Sequence, residues 1–306
     1  MGVMMYFLMT SLGELSAKYP STGSFYLYGE KFVSPSFGFA LGVNYWFNWA
    51  ITLAAELAAS SMVMKFWFPH SHAVTWSILF LSVLFLMNVF SVKWFGKTEY
   101  WLSWLKILVI IVFVITGLAL VFGFIGDKAP GFHNWQNPDT AFHGGALSIL
   151  GVFLVAGFSF QGSELIGIAA GESQSPKTMI PKSIKTIFWR IVLFYMATIF
   201  VIGLLIPYSS PQLLQADIAS SPFTIIFKQA GLWHAASFVN LTILIAILSA
   251  GNSSMYASSR MLWYMAKRKD LPQIFGNLNK KGAPYIALIA TALIGMLAFL
   301  SSRFGG

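Results

Sequence analysis

The sequence predicts an all-α, polytopic membrane protein, and three observations carry that prediction. Charged residues make up only 9% of the chain against 57% hydrophobic ones, whereas a soluble domain carries about 25% charged residues. Apolar runs of the roughly 20 residues needed to cross a bilayer recur from one end to the other. Lysine and arginine collect in every second interval between those runs, the pattern that orients membrane proteins.

Eight apolar segments are expected, at residues 1–17, 37–68, 74–92, 101–126, 144–171, 186–207, 234–266 and 283–301. The first opens on Met1-Gly2-Val3-Met4-Met5, which reads as the middle of a helix. Its ~15 residues rise only ~22 Å, short of the ~30 Å hydrocarbon core. The second carries Glu56 deep inside it. The third lies between Trp76 and Trp94, and the second ends near Trp67, aromatic anchors at the membrane surface. The fourth opens on Trp101 and holds Lys106 about one and a half turns in. The fifth contains the most unusual stretch in the chain, Gly157 to Glu164. The sixth begins after a lysine-rich interval. The seventh holds the polar run Asn252-Ser253-Ser254, and the eighth stops just before Arg303-Phe304-Gly305-Gly306.

The intervals add no second domain. Asp127 to His143 is rich in Gly, Pro, Asn and Trp, and Tyr208 to Trp233 contains Ser221 to Phe227, suited to a short interfacial helix. Residues 1–306 therefore read as one membrane domain. Fifteen of the 19 basic residues belong to the intervals 18–36, 93–100, 172–185 and 267–282 or to the helix ends beside them. The positive-inside rule puts those intervals in the cytoplasm. The same placement explains the net charge of +9 without nucleic acid. With no cysteine, disulfides and thiolate chemistry are excluded. No cleavable signal peptide is expected, since Met1 opens directly into apolar sequence without a basic leader, and no GxxxxGK[ST] loop for a nucleotide is present. All five histidines, His70, His72, His133, His143 and His234, fall in or beside external loops. They read as interface residues, with no second cluster to complete a metal site.

Gly157-Phe158-Ser159-Phe160-Gln161-Gly162-Ser163-Glu164 falls in the middle of the fifth segment. Two glycines, a glutamine and a carboxylate at bilayer depth weaken a helix and are costly facing lipid. Such a stretch is tolerated where a helix unwinds beside a polar cavity, and the freed N–H and C=O groups then bind a small zwitterion. The other reading is glycine packing against a neighbouring helix with Glu164 salt-bridged. Lys106 similarly has two readings, a buried amine that exchanges a proton or a side chain snorkelling to the interface. Asn252, Ser253 and Ser254 line a polar site or merely bridge helices.

GFSFQGSELIGIAAGES (Gly157 to Ser173) resembles the discontinuous sixth helix of amino-acid permeases in the amino acid–polyamine–organocation superfamily. Leu12-Gly13-Glu14-Leu15 with Pro20, Gly23 and Ser24 resembles the end of the second helix and its loop. FGFALGVNYWFNW (Phe37 to Trp49) is similar to the third helix, FWRIVLFY (Phe188 to Tyr195) to the seventh, and SAGNSSMYASSRMLW (Ser249 to Trp263) to the eighth. The resemblance covers essentially the whole chain and is strongest to the lysine-specific branch. It implies an inverted-repeat helix bundle of which this chain supplies helices two to nine. The first helix and the last ones would be absent, leaving about half of the binding site.

What the resemblance implies for individual residues follows position by position. Phe158 takes the place of an aromatic that closes over the substrate, and the backbone around Phe158, Ser159, Phe160, Gln161 and Gly162 receives its α-ammonium group. Glu164 matches a carboxylate that contacts a substrate cation or carries a proton, with structural anchoring of the break as the alternative. Lys106 matches a lysine that replaces a sodium ion in proton-coupled relatives. Glu56 lies on a helix bordering the pocket, where a carboxylate suits a cationic side chain. The implied activity is secondary active import of an amino acid, cationic and most like lysine, across a bacterial cytoplasmic membrane by proton symport and alternating access. No enzymatic constellation and no cofactor are expected, the proton gradient being the driving force. The expected partners are the amino acid, protons and the lipid bilayer. A membrane-embedded amino-acid sensor or scaffold, or a permease for histidine or a neutral amino acid, is the alternative.

Overall fold

The computed structural model of the chain describes residues 2–90, 92–126, 129–136, 145–173, 175–207, 209–211, 221–231 and 235–299, with the backbone alone for 92–99, 146, 154, 155, 158, 172, 235 and 236. The expectations for His143, His234, Trp233 and Arg303 lie outside those residues, as do those for the side chains of Trp94 and Phe158. All regular structure among the described residues is helical.

In chain order the helices are α1 (Gly2–Lys18), α2 (Ser24–Phe32), α3 (Pro35–Met64), α4 (Ala73–Phe90), α5 (Val92–Val121), α6 (His133–Gln136), α7 (Gly145–Phe158), α8 (Leu165–Ala169), α9 (Pro176–Leu205), α10 (Pro222–Gln229), α11 (Ala235–Lys267) and α12 (Tyr285–Gly295). Five of them contain a stretch long and apolar enough to cross a membrane: Pro35–Met64, Ala73–Phe90, Tyr100–Val121, Pro176–Leu205 and Ser237–Lys267. The remaining three expected spans correspond to α1, to the interrupted pair α7 and α8, and to the shorter apolar helix at Tyr285–Phe299.

Several intervals expected as loops are helical. The interval 18–36 holds α2, which buries Tyr26 and Tyr28. Helices α5 and α9 start well before their apolar stretches, at Val92 and Pro176. Proline suits a first helical turn, where its missing N–H costs nothing. Pro35 opens α3 in the same way, and the Ser34 hydroxyl accepts a hydrogen bond from the Phe37 N–H at 3.2 Å. The fourth segment stops at Val121, five residues early, followed by Gly123 and Gly126 with positive φ. Ser221 to Phe227, expected as a short interfacial helix, forms most of α10.

The chain divides into two compact units. One comprises Met1–Val3, Ser103–Gln161 and Trp189–Leu244. Its core gathers Phe113, Leu120 and Val121 from α5, Val201, Leu204 and Leu205 from α9, Ile226 and Phe227 from α10, and Val239 from α11. Phe113 packs on Phe223 with ring centroids 4.3 Å apart, so α10 is held by aromatic contact.

The other unit comprises Met4–Leu102, Gly162–Phe188 and Ile245–Gly306. Here α3 and α11 run antiparallel. The Ser258 hydroxyl donates to the Trp46 carbonyl at 3.0 Å, Trp49 packs on Tyr256 and Ala257, and Glu56 lies beside Gly251. Small residues permit the close approach: a Cβ on Gly42 would stand 2.8 Å from the Met265 sulfur. Asn88 on α4 donates to Asn252 Oδ1 on α11 at 2.8 Å, a buried amide pair tying those helices.

At one end of this unit α2 is fastened to the chain beyond α11. The Tyr26 hydroxyl donates to Asp270 and the Arg268 guanidinium pairs with Glu30. Burial, and then the hydrogen bond to the Asp270 carboxylate, push the Tyr26 phenol up to about 12, with Arg268 opposing. A phenol raised this way stabilises the fold fully below pH ~10 and loses that contribution as pH rises through about 12. Tyr26→Phe should therefore lower stability by about 1 kcal/mol at neutral pH. Melting temperatures of wild type and variant, separated at pH 8, should converge by pH 12.

Candidate functional site

The fifth apolar segment is not one helix. Helix α7 ends at Phe158, α8 begins at Leu165, and the six residues between them form turns. Glycine and serine are poor helix formers, and this stretch places Ser159, Gly162 and Ser163 almost together. Gly162 adopts φ +97°, a backbone conformation that side-chain-bearing residues rarely enter. The Phe160 N–H turns back to the Gly157 carbonyl at 3.2 Å, and the Leu165 N–H to the Gly162 carbonyl at 3.3 Å.

An unpaired backbone group in hydrocarbon costs several kcal/mol, so the groups released by the break need partners. Two side chains supply them. The Gly162 N–H donates to Glu164 Oε2 at 2.8 Å. Within the other unit, the Tyr195 hydroxyl of α9 donates to the Ser159 carbonyl at 2.5 Å, and its ring meets Phe160 edge-on at 5.7 Å. Both contacts fix an interruption that the backbone alone would leave open.

Helix α3 brings a second set of polar atoms to the Gly162 side. Trp49 Cη2 lies 3.7 Å from the position a Cβ on Gly162 would occupy. One turn earlier, Tyr45 stacks edge-on against Trp49 at 6.1 Å and lies within electrostatic reach of Glu164. The Tyr45 hydroxyl and the Trp49 indole N–H are buried side by side, and beyond a weak hydrogen bond to each other neither has a partner among the described residues. Buried polar groups are nearly always well paired, so a weakly bonded indole and phenol, set beside a carboxylate, suit a polar guest. Ile168 of α8, fully buried against Trp49, Tyr256 and Ala257, holds this half of the break in place.

The remaining expected site residues distribute as follows. Glu56 lies on the same face of α3 as Trp49, two turns or about 10 Å further along, half-buried. Its Cβ is 3.7 Å from a notional Cβ on Gly251 of α11. Asn252 is buried and engaged with Asn88, while the Ser254 hydroxyl donates to the Ala250 carbonyl of its own helix at 2.8 Å. Ser253 is half-buried on α11. Lys106 is half-buried on α5, in the unit that also carries Phe158 to Gln161. Sequence reasoning missed Tyr45, Trp49 and Tyr195. Their only signal is position within the aromatic runs NYWFNW and LFY, which does not separate site aromatics from packing ones.

The comparisons with known proteins agree in kind. The chain is 51% identical over 308 residues to the lysine-specific permease LysP of Escherichia coli, covering 99% of this chain and 63% of that protein. Against LysP of Lactococcus lactis it is 48% identical over 311 residues, covering 99% of this chain and 61% of the relative. Against the histidine permease HisP of the same bacterium it is 45% identical over 307 residues, with 99% and 64% covered. The chain thus spans just under two thirds of the length of these relatives. The family described as amino acid permease matches residues 1–306. These relatives are named as permeases, not enzymes, which accords with the long apolar helices of a multi-pass membrane protein. With a match running from the first residue to the last and relatives about half identical to it, the chain belongs to the amino acid permease family.

Proposed function

We propose that this permease imports a cationic amino acid, lysine, by proton symport with alternating access about the break between α7 and α8. The observation that carries the reading is the interruption itself. The apolar segment gives up regular helical hydrogen bonds at residues 159–164, where Glu164 accepts from the Gly162 N–H and Tyr195 donates to the Ser159 carbonyl. Half-helices that meet at such a break bind small charged solutes with their unwound backbone. In this reading the carbonyls around Phe158 and Gln161 receive the α-ammonium group, and Phe158 closes over it. Tyr45 and Trp49 offer further polar atoms beside Gly162. Glu164 supplies negative charge, Glu56 a second carboxylate further along α3, and Lys106 exchanges the coupling proton. Asn252, Ser253 and Ser254 on α11 serve as polar pocket or coupling-site positions.

Lysine is favoured because two relatives at 51% and 48% identity are named lysine-specific, ahead of a histidine permease at 45%. In cells expressing the gene, labelled lysine should accumulate against its gradient and a protonophore should abolish accumulation. Unlabelled lysine should compete at concentrations at least about tenfold below histidine. Stronger competition by histidine or a neutral amino acid reassigns the substrate. Accumulation indifferent to a protonophore removes the proton as coupling ion. Saturable lysine binding without accumulation identifies a sensor instead.

A further inference from the structure

Two lysines that the transport reading does not use converge on a single aromatic ring. Lys18 ends α1 and Lys31 lies in the last turn of α2. The Lys31 ammonium stands 3.6 Å from the centroid of Tyr19 and the Lys18 ammonium 5.6 Å from it. The arrangement is fixed from beneath. The Tyr28 hydroxyl, buried on α2, lies 3.1 Å from both Ser16 Oγ and the Tyr19 carbonyl oxygen, which locks α2 against the end of α1. Tyr19 also meets Phe32 edge-on at 5.7 Å.

Two ammonium groups on one ring repel each other, and a ring face satisfies only part of what each lost from water. Among the described residues no carboxylate stands within ion-pair distance of either ammonium. Glu30 is committed to Arg268, and Glu14 sits exposed one turn before Lys18 on α1. Immediately beyond the pair the surface is apolar: Phe32 is 54% exposed, Val33 66% and Phe37 45%. These residues sit where the apolar helix α3 begins, an interval that the positive-inside rule puts at the cytoplasmic surface. Positive charge on an aromatic platform, continuous with an exposed apolar ridge at the membrane surface, fits a ligand with an anionic head and a hydrocarbon tail.

We infer that Lys18, Lys31 and Tyr19 form a binding site for an anionic glycerophospholipid of the cytoplasmic leaflet. The phosphate sits between the two ammonium groups, and an acyl chain runs along Phe32, Val33 and Phe37. The site adjoins the turn at 21–24 that grips α8. A Cβ on Gly167 would stand 2.6 Å from Ser24 Oγ, and one on Gly171 would stand 2.2 Å from the Thr22 backbone nitrogen. A lipid held at Tyr19 therefore braces the segment against which the second half of the broken helix rests.

The test uses the purified protein in nanodiscs of neutral phosphatidylcholine with increasing phosphatidylglycerol, bound lipid being counted by native mass spectrometry. That measurement reads only folded protein, so a partly destabilised variant still gives an answer. Wild type should retain phosphatidylglycerol saturably. K18Q/K31Q should need at least about tenfold more phosphatidylglycerol for the same retention. K177Q/K182Q, which removes equal charge from the start of α9, should behave as wild type. Equal losses in both double variants would show diffuse surface charge and overturn the site. Displacement of the lipid by millimolar inorganic phosphate would also overturn it, because a free anion would then be the ligand.

Discussion

Gly162→Ala should cut lysine uptake at least about tenfold without preventing membrane insertion. Space is not the obstacle, since the added methyl would meet Trp49 Cη2 at 3.7 Å, an ordinary contact. The obstacle is the backbone. At φ +97° a Cβ costs on the order of 1–3 kcal/mol, and alanine escapes that strain by returning to helical geometry. The Gly162 N–H would then swing away from Glu164 Oε2, and the turn between α7 and α8 would shorten. Uptake of radiolabelled lysine, normalised to inserted protein, checks this. Unchanged uptake would mean that the interruption has no part in transport.

Glu164 separates anchoring from chemistry through two substitutions. Alanine removes the acceptor of the Gly162 N–H and should cost about 1–3 kcal/mol in stability. Glutamine keeps an acceptor oxygen in the same place but no charge. Melting temperature should therefore fall for Glu164→Ala and stay near wild type for Glu164→Gln. Lysine uptake should fall about ten- to a hundredfold for both, because a charged partner is worth more than a neutral one for a cationic substrate. Full uptake by the glutamine variant would leave the carboxylate a structural anchor only.

What the sequence made legible was set by hydropathy. Long apolar runs gave the helical membrane class and the approximate positions of α3, α4, α9 and α11, because burial in lipid dominates those segments. The ends were less legible. Lysine-bearing turns such as 176–185 continue α9 outside the apolar stretch, where no hydropathy signal reaches. Helix α2 was missed altogether. Pro20 and Gly23 punctuate its approach like a loop, while its helicity depends on tertiary burial of Tyr26 and Tyr28. The start of α3 was readable in principle from Ser34-Pro35, a capping residue before a proline.

The break was legible for a similar reason: glycine, glutamine and glutamate at bilayer depth have few structural solutions. What holds it was not. Nothing local distinguishes Tyr195, whose hydroxyl reaches the Ser159 carbonyl from 36 residues away, from the aromatic residues around it. Tyr45 and Trp49 likewise resemble packing aromatics until their polar atoms are seen to lie buried beside Gly162. Such roles depend on which helices meet, and that is long-range information.

The most direct measurement is hydrogen–deuterium exchange across residues 157–165 in the purified protein, with and without lysine. A backbone released from helical hydrogen bonding should exchange readily in the apo state, far faster than the flanking turns of α7, and slow markedly when lysine is added. Protection equal to that of α7 in the apo state, unmoved by saturating lysine, would mean that the helix is continuous and that the substrate binds elsewhere.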